Sequence, residues 1–386
     1  MRLMRLSLTD FRNYAALTWR PAARISVLFG PNGNGKTNLL EAVSLLAPGR
    51  GLRGARMADL PRHGGAGTWA VAGRFETTEG TADIGTGSPP DGAPAGRRVF
   101  RLDGAAPRSQ ADIAARVAMV WLTPQMDRLF TEAASGRRRF LDRLVWALEP
   151  GHARELAAHD AAMSQRNRLL AEGRQDIAWL EGLEDAMARH AVAATAARVA
   201  MVARLNAVPA SLGFPRAHVD LVCPIADRLT ASPALKVEDW LREALAAARG
   251  HDATSGMSSV GAHRSDMALS SADTGTPAAL ASTGEQKALL IGVILEHAML
   301  IAETRGFAPL LLLDEPVVHL DAGRRAALFD ALARLPAQTV LTGTDAEPFL
   351  PLSGVAEGLR VTAGELLADA RFLPSESTAT PGLRTL

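Results

Sequence analysis

A glycine-rich segment near the amino terminus has the residue types and spacing of a phosphate-binding loop. It matches the pattern G-x-x-x-x-G-K-[ST] at every fixed position, and an apolar, helix-forming stretch follows it. Glycines let backbone N–H groups converge on phosphate oxygens, and the amino terminus of a helix adds partial positive charge. We expect Lys36 to neutralise the outer phosphates of ATP and the Thr37 hydroxyl to ligate Mg²⁺. The residues expected to contact the nucleotide are Gly30, Pro31, Asn32, Gly33, Asn34, Gly35, Lys36, Thr37 and Asn38.

Two adjacent acids far along the chain could complete this site. Four leucines, Leu310–Leu313, precede Asp314 and Glu315, a pattern typical of a buried parallel strand that delivers side chains at its carboxyl end. Neighbouring buried carboxylates are costly unless a cation or a reaction uses them. We therefore assign Asp314 to the magnesium shell and Glu315 to polarising the attacking water as general base. The simpler alternatives are a strand that leaves the core into an acidic turn and a glycine-rich segment that binds nothing.

A helix start upstream of the two acids admits two interpretations. Ser282 and Glu285 have the spacing of a capping box, which is how ordinary helices begin. The segment from Ala281 to Lys287 also resembles the signature of ABC ATPases, in which a serine, a glycine and a helix amino terminus bind the γ-phosphate held by the opposite subunit. The resemblance implies that Ser282 and Gly284 bind nucleotide in a homodimer that forms with ATP. Simple P-loop kinases and GTPases lack a signature helix at this place.

Two further residues are candidates because of their place in this order of motifs. Gln125 follows the apolar run Val117–Leu122 and is either the Q-loop residue that links the γ-phosphate to the helical lobe or a plain loop glutamine. Thr344 follows the run Thr339–Thr342, where ABC transporters place a switch histidine, and no histidine stands there. A hydroxyl can still orient water. We therefore expect a weak ATPase that hydrolyses ATP slowly.

These residues require an α/β fold in which parallel strands deliver loops to one edge of a sheet. The expected class is an ABC-type P-loop ATPase head with an antiparallel β patch and an inserted, mostly α-helical domain. Alternation from Trp69 to Phe75, and the run Arg97–Leu102 before the turn dipeptide Asp103-Gly104, predict the antiparallel patch. Between them, Thr77–Gly96 is rich in Gly, Pro and Thr and is predicted to be a flexible loop.

Composition divides the chain into four segments. They are the amino-terminal half of the ATPase domain, a helical domain rich in Ala, Leu, Arg and Glu, the carboxyl-terminal half of the ATPase domain, and a tail, at residues 1–122, 123–260, 261–350 and 351–386. The longest predicted helix is Asp176–Val208. Gly250–Pro277 is dense in Ser, Thr and Gly and predicts a mobile connector, and the tail is expected to be partly disordered.

Composition also limits the function classes. The 386 residues carry a formal net charge of only +1, so any surface that binds nucleic acid has to be local. A single cysteine, Cys223, excludes an internal disulfide and fits a reducing compartment. No apolar run is long enough to span a membrane, and no signal peptide is visible. We expect a cytoplasmic protein without a membrane partner.

Beyond the ABC pattern, the chain resembles the RecF family of bacterial DNA-repair ATPases from end to end. The segments that carry this resemblance are Asp10–Tyr14, Gly49–Arg53, Pro124–Asp142, Gln165–Leu170 and Gly261–Asp266. Within the third of them, Gln125 stands where the family has an acid. The resemblance implies that Arg12, in the opening motif, contacts the nucleotide.

The resemblance also implies a biological role. It predicts a recombination mediator for DNA damage repair, the SOS response and replication restart, which binds single-stranded and gapped double-stranded DNA as an ATP-bound homodimer. RecO and RecR are the implied partners, and the implied outcome is loading of RecA. Independently of the family, the arginines at 50, 53 and 56 and those at 137, 138, 139 and 143 form two basic clusters. These clusters bind the DNA backbone or are ordinary solvated helix faces.

Three other function classes share parts of this pattern. The first is the nucleotide-binding subunit of a membrane transporter, against which the missing switch histidine and the arginine-rich helical insert argue. The second is an SMC-like chromosome organiser, which needs hundreds of residues of heptad repeat where this chain has about 150 residues between the two halves of its head. The third is an interaction scaffold whose ATP site is purely structural.

Overall fold

A computed structural model describes residues 1–89, 97–173, 176–209 and 212–373 of the chain. The chain divides into two compact units. Unit 1 comprises Met1–Pro124, Phe307–Val318 and the residues from Ala322 onward, and unit 2 comprises Gln125–Gly306 with His319–Asp321. Unit 1 is built from two sheets with a few helices and unit 2 is mostly helical, so the predicted fold class is confirmed.

An antiparallel sheet of five strands forms one layer of unit 1, in the order β2-β1-β4-β5-β6. Apolar side chains such as Leu6, Leu8, Val71 and Phe75 alternate along its strands and are buried on one face. The predicted turn at Asp103-Gly104 is confirmed, because both residues have positive φ, 51° and 83°. The strands are β1 Arg2–Phe11, β2 Tyr14–Trp19, β4 Ala70–Thr77, β5 Gly80–Gly87 and β6 Val99–Leu102.

The second sheet of unit 1 carries the ends of the predicted motifs. Its order is β13-β12-β3-β11-β10-β7, parallel except for β13. All residues of β3, β7, β10 and β11 are buried, as continuous apolar runs predict. The carboxyl ends of these four strands therefore lie along one edge. The strands are β3 Ile25–Phe29, β7 Met119–Leu122, β10 Leu310–Leu313, β11 Thr339–Gly343, β12 Ala356–Thr362 and β13 Glu365–Ala368, and the helices of the unit are α1 Lys36–Ser44, α2 Gln110–Arg116 and α9 Ala322–Arg334.

Unit 2 packs its helices around an apolar core and a buried arginine. Arg166, with no exposed surface, donates to Glu184, Asp252, Ser258 and the carbonyl of Leu245, and so ties three helices together. A buried charge with this many partners is satisfied rather than strained. The elements are α3 Ala134–Leu148, α4 His152–Ala171, α5 Ile177–Ala207, α6 Pro224–Ala231, α7 Ala234–Ser255 and α8 Thr283–Arg305, with a two-stranded antiparallel sheet of β8 Ala217–Val222 and β9 Asp266–Ser271.

Two predicted loops contain regular structure. Within Thr77–Gly96 the chain forms β5, whose small residues give little strand propensity but find partners in β4 and β6 on both sides; residues 90–96 lie outside the described part. Within Gly250–Pro277, α7 continues to Ser255 and β9 follows, with Met267 and Leu269 buried. The prediction of a mobile connector was therefore wrong. The long helix predicted over Asp176–Val208 is confirmed as α5, and the Asp176 side chain caps it.

The boundaries of the two units differ from the predicted domain limits. Residues 261–306, predicted to belong to the ATPase domain, lie in unit 2, because β9 pairs with β8 and α8 packs on helices of that unit. The tail differs too. Residues 356–368 form β12 and β13, and β12 pairs in parallel with β3. Residues 374–386 lie outside the described part.

Candidate nucleotide site

The predicted phosphate loop forms the turn between β3 and α1, with Pro31, Asn32 and Gly33 exposed at its crest. Gly30, Gly33 and Gly35 have φ angles of 139°, 86° and 105°, a region that favours glycine. A Cβ on Gly30 would lie 2.7 Å from the carbonyl oxygen of Val361, and one on Gly35 would lie 2.4 Å from Asn13 Nδ2. Backbone conformation and crowding together therefore require glycine at the first and last of these positions.

Lys36 lies inside this loop and is only 5% exposed. Its ammonium group donates to the carbonyl oxygens of Gly30 and Pro31, the latter at 3.0 Å. Burial lowers the pKa of Lys36, and the carboxylates of Glu315, Asp314 and Asp345 oppose that shift. Within the described residues, the hydrogen bonds of this buried cation go to two loop carbonyls, an arrangement that fits a site for phosphate oxygens.

The two predicted acids meet the end of the phosphate loop at the carboxyl end of β10. Thr37 Oγ1 donates to Asp314 Oδ1 at 3.0 Å, and Thr342 Oγ1 donates to the same oxygen at 2.7 Å. The Thr342 hydroxyl in turn accepts the backbone N–H of Glu315 at 2.9 Å. Asp314 is buried, while Glu315 is half-buried with a φ of 51°, a strained backbone conformation for a residue other than glycine.

The pair Thr37 and Asp314 could hold a hard cation such as Mg²⁺, because hydroxyl and carboxylate oxygens are its preferred ligands. Among the described residues, no group of three or more His, Cys, Asp or Glu side chains could hold a metal ion alone. A cation at this pair would therefore need phosphate and water oxygens for its remaining ligands. That is how Mg²⁺ is bound in sites that also bind nucleotides.

The turn between β1 and β2 supports the loop from the side, a feature that the sequence did not reveal. Asn13 Nδ2 donates to the carbonyl of Asn34 at 3.1 Å, and the Asn38 side chain donates to Asn13 Oδ1 at 2.8 Å. The buried Tyr14 hydroxyl donates to the carbonyl of Gly35 at 3.0 Å. The family motif at Asp10–Tyr14 therefore holds the phosphate loop in shape.

Arg12, predicted to contact the nucleotide, binds protein groups in this structure. Its guanidinium makes two hydrogen bonds with the buried Glu41 carboxylate of α1, at 2.8 and 2.9 Å, and a third to the carbonyl of Asp59 at 2.7 Å. Arg53 donates to Asn38 Oδ1 at 2.8 Å and lies 3.7 Å from Glu41. Arg12 thus links the opening motif to the helix that follows the phosphate loop.

At the end of β11, Thr344 is exposed and donates its hydroxyl to Asp345 at 2.9 Å, while its carbonyl accepts the N–H of Gly30 at 3.2 Å. Thr342, which the sequence argument passed over, is the buried hydroxyl between Asp314 and Glu315. The sequence signal for Thr342 is weak, because a threonine at the end of a parallel strand is common.

The signature segment and Gln125 lie in unit 2. Ser282 caps α8, and both bonds of the capping box with Glu285 are present, so the predicted helix start is confirmed. Gly284 lies in the first turn of α8. Gln125 is exposed in the 3₁₀ turn Pro124–Arg128. Lys287, 1% exposed, pairs with Asp127 of that turn at 3.1 Å, so a buried ion pair connects the turn to the beginning of α8.

Most arginines of the predicted basic cluster on α3 have partners inside unit 2. Arg137 makes a bidentate pair with Asp266, with both bonds at 2.8 Å, and Arg138 donates to the carbonyl of Ser265 at 2.9 Å. Burial lowers the pKa of Arg143, as expected of a side chain taken out of water. Only Arg139 is exposed. The cluster therefore holds α3 against the 261–266 segment, and the expectation of a DNA-binding patch here is not supported.

Comparison with known proteins gives a consistent result. A family model described as RecF/RecN/SMC N terminal domain matches residues 2–350. A protein described as DNA replication and repair protein RecF, from Mesorhizobium japonicum, is 47% identical over 366 residues, which cover 94% of this chain and 96% of that one. Another so described, from Allorhizobium ampelinum, is 45% identical over 368 residues, with 94% and 97% covered.

Solved structures show the same fold. The structure of a recombination mediator protein described as RecF-ATPrS in the RecFOR pathway has a TM-score of 0.81 at 21% identity and covers 96% of this chain and 98% of that one. One described as RecF-ATP has a TM-score of 0.78, also at 21% identity, with 95% and 99% covered. Within the described residues, no helix is long and apolar enough to cross a bilayer. By the family model and by these relatives, the chain belongs to the RecF family of DNA replication and repair proteins.

Proposed function

We propose that this chain is an ATP-dependent, DNA-binding recombination mediator that hydrolyses ATP slowly. The observation that carries the proposal is the bond between Thr37 and Asp314, which are 277 positions apart in the sequence. It brings the phosphate loop and the two acids into one site. The relatives named RecF and the RecF structures that contain ATP support the same assignment.

The residues divide the work by their chemistry. Lys36 leaves the carbonyls of Gly30 and Pro31 and neutralises the outer phosphates, since a phosphate oxygen is a stronger partner for an ammonium than a carbonyl. Thr37 and Asp314 hold Mg²⁺, which supplies positive charge at the phosphates when it is bound. Glu315 accepts a proton from the attacking water, and Thr342 fixes the backbone that carries Glu315.

Slow hydrolysis follows from the end of β11. Thr344 stands where ABC transporters have a histidine, and its hydroxyl already donates to Asp345. A threonine engaged in this way positions water less well than an imidazole and cannot carry a positive charge. The ATP-bound state therefore lasts longer than the time that ATP needs to bind. A long-lived ATP state suits a switch rather than a motor.

ATP binding controls a dimer in this proposal. Ser282 and Gly284 at the amino terminus of α8 in one copy contact the γ-phosphate held by Lys36 of the other copy, because a helix amino terminus attracts anions. ATP then favours the closed dimer by its differential affinity for that state. Hydrolysis, with Glu315 as general base, removes the contact with the γ-phosphate, and the closed dimer then opens. The ABC signature and the order of motifs along the chain support this arrangement.

The finer functional assignments come from the family. We propose that the ATP-bound dimer binds single-stranded and gapped double-stranded DNA in the cytoplasm, acts with RecO and RecR, and assists RecA loading during recombinational repair. The description of the structural relatives as members of a RecFOR pathway supports this choice of partners.

The proposal is tested by ATP turnover and sedimentation of the pure protein, each with and without gapped DNA. We expect slow turnover that responds to gapped DNA and a dimer that requires ATP. A transporter subunit would show no response to DNA, and a scaffold with a structural ATP site would fail to hydrolyse ATP even in a single turnover. A protein that stays monomeric with ATP and DNA together would contradict the switch.

A further inference from the structure

The solvent-facing side of the antiparallel sheet carries three arginines across neighbouring strands. Arg5 of β1 stands directly opposite Arg74 of β4, and Arg101 of β6 stands opposite Gly85 of β5. These side chains surround a groove of about 220 Å³, which we call the arginine groove. Its lining residues are Arg5, Ala72, Gly73, Arg74, Asp83, Ile84, Gly85, Arg101 and Gly104.

The charges in the arginine groove do not cancel. Arg74 makes a bidentate pair with Asp83, the residue opposite it on β5, with bonds of 2.8 and 2.7 Å. Asp103 accepts the backbone N–H of Asp83 at 2.8 Å. Asp83 is the single carboxylate among the lining residues, against three arginines, so the lining keeps an excess of positive charge at Arg5 and Arg101.

The arrangement is unfavourable for the protein alone. Like charges directly opposite one another on adjacent strands destabilise a sheet; Arg5 stands opposite Arg74, and the single carboxylate of Asp83 balances only one of these two positive charges. An anion placed between them would remove the repulsion. Arginine is also the side chain whose planar fork best matches phosphate oxygens.

The shape of the surrounding surface indicates an extended ligand rather than a small one. Next to the groove, the residues that face solvent in register across β2, β1, β4 and β5 are Thr18, Ser7, Ala72 and Gly85, followed by Ala16, Thr9 and Ala70 on the first three strands. All of them are small, so the groove opens onto a flat surface. From β1 to β6 the face spans three strand spacings, roughly 14 Å. That distance corresponds to about four base-pair steps of duplex DNA, which rises about 3.4 Å per step.

We propose that the arginine groove contacts the phosphate backbone of duplex DNA. The inference rests on the proposed function and assigns the surface that holds the DNA. The contact is independent of sequence, because no aromatic side chain lines the groove to stack on a base and the arginines stand on a flat face rather than on an element that enters the major groove. Arg5 and Arg101 make the phosphate contacts, and Arg74 keeps Asp83 neutralised.

The test compares DNA affinity and its salt dependence in three variants of the full chain, with ATP present. The double variant Arg5→Gln/Arg101→Gln should bind duplex DNA about tenfold or more weakly, and the slope of log affinity against log salt should fall by about two, since each lost phosphate contact removes about 0.9. A matched control, Arg325→Gln/Arg334→Gln, removes two arginines of α9 and should keep the wild-type affinity and slope.

A third variant guards against misfolding as an explanation. Asp83→Asn removes the one carboxylate of the lining and releases Arg74, so it should bind DNA a few-fold more tightly, a gain that damage to the fold does not produce. If the wild type binds DNA and the arginine double variant binds equally well with an unchanged slope, the groove assignment is wrong. An equal loss in the α9 control would also overturn it. A wild type that binds no DNA would overturn the proposed function itself.

Discussion

The hydroxyl of Thr37 donates a hydrogen bond to Asp314 Oδ1 across 3.0 Å. This bond joins the first residue after the P-loop lysine to the first acid after β10, and Thr342 adds a second hydroxyl to the same oxygen. Two hydroxyl donors on one carboxylate oxygen stabilise its charge before any cation is present. The site is therefore preorganised, and its parts respond differently to substitution.

Replacing Lys36 by alanine should abolish ATP binding, with a loss of at least about a hundredfold in affinity, because the buried ammonium is the main positive charge of the phosphate loop. Isothermal titration with ATP measures this. Lys236→Ala, on the exposed side of α7, removes the same charge elsewhere and should bind ATP as the wild type does. Near-normal affinity in the Lys36 variant would exclude the loop as the nucleotide site.

Glu315→Gln should trap the ATP-bound dimer. The amide preserves the size of the side chain and cannot accept a proton from water, so hydrolysis should fall by about a hundredfold or more while ATP still binds. Analytical ultracentrifugation with ATP then shows a dimer that persists for hours. A mass that does not depend on nucleotide in this variant would contradict the switch.

Thr342→Val should slow hydrolysis without preventing ATP binding. Valine fills the same volume but leaves the N–H of Glu315 and one bond to Asp314 unmade, at a cost of about 1–3 kcal/mol for a buried polar group that loses its partner. Single-turnover hydrolysis and the urea midpoint check the two effects. Thr342→Ser, which keeps the hydroxyl, should retain most of the activity, and an equal defect in both variants would assign Thr342 a packing role.

The ion pair of Lys287 with Asp127 should matter for dimerisation more than for nucleotide affinity. It connects the turn that carries Gln125 to the beginning of α8, where Ser282 and Gly284 lie. Breaking a buried pair leaves one charge without its partner, so Lys287→Met should displace the signature segment. We expect unchanged ATP affinity in dilute protein and about tenfold weaker ATP-dependent dimerisation by light scattering, with recovery in the double variant Lys287→Met/Asp127→Leu.

Acid should weaken unit 2 through the carboxylates that hold its arginines. The hydrogen bond from Arg137 lowers the pKa of Asp266 below its usual 3.8. For Asp142, burial acts in the opposite direction, but hydrogen bonds from His152 and Arg198 prevail and its pKa is also lowered. A carboxyl group whose pKa is lower in the folded than in the unfolded state stabilises the protein at pH values above the unfolded pKa. That contribution is lost as the pH falls below about 4.

The measurement for this prediction is the free energy of unfolding in urea at pH 7, 5 and 3. Stability should be similar at pH 7 and 5 and lower at pH 3. Asp266→Asn should be less stable than the wild type at pH 7 and should differ from it less at pH 3, because the unfolded wild type then takes up a proton at Asp266 and part of the stabilising effect of the ion pair is lost. An undiminished difference at pH 3 would show that the ion pair with Arg137 is not what Asp266 contributes.

The parts of the fold and of the site that the sequence predicts are those whose signal lies within a short stretch of the chain. The phosphate loop and the strand Leu310–Leu313 were recognisable because each combines a short pattern with the run of apolar residues that a buried strand requires. Thr342 and Asn13 were not, since what distinguishes them is a partner far away in sequence. The loops expected at Thr77–Gly96 and Gly250–Pro277 were predicted from low propensity, which pairing with neighbouring strands overrode.

The arginines of α3 show the same limit for charge. Three consecutive basic residues indicated a surface for DNA, but the partner of Arg137 is Asp266, which lies 129 positions later. No sequence pattern indicates that Arg137 and Asp266 are partners. Sequence reasoning can count charges and cannot tell which of them fold inward, so a basic run on a helix is weak support for a nucleic-acid surface.

The contact of Val361 with the phosphate loop links nucleotide binding to the order of synthesis. The carbonyl of Val361 lies against Gly30 and accepts the Asn34 side chain at 3.0 Å. Ribosomes synthesise the amino terminus first. The phosphate loop is therefore made more than 300 residues before β12, the strand that contains Val361. A nascent or prematurely ended chain that lacks β12 has the P-loop sequence but not the Val361 carbonyl that contacts the loop. We therefore expect the loop to take up the conformation described here only after β12 has been synthesised.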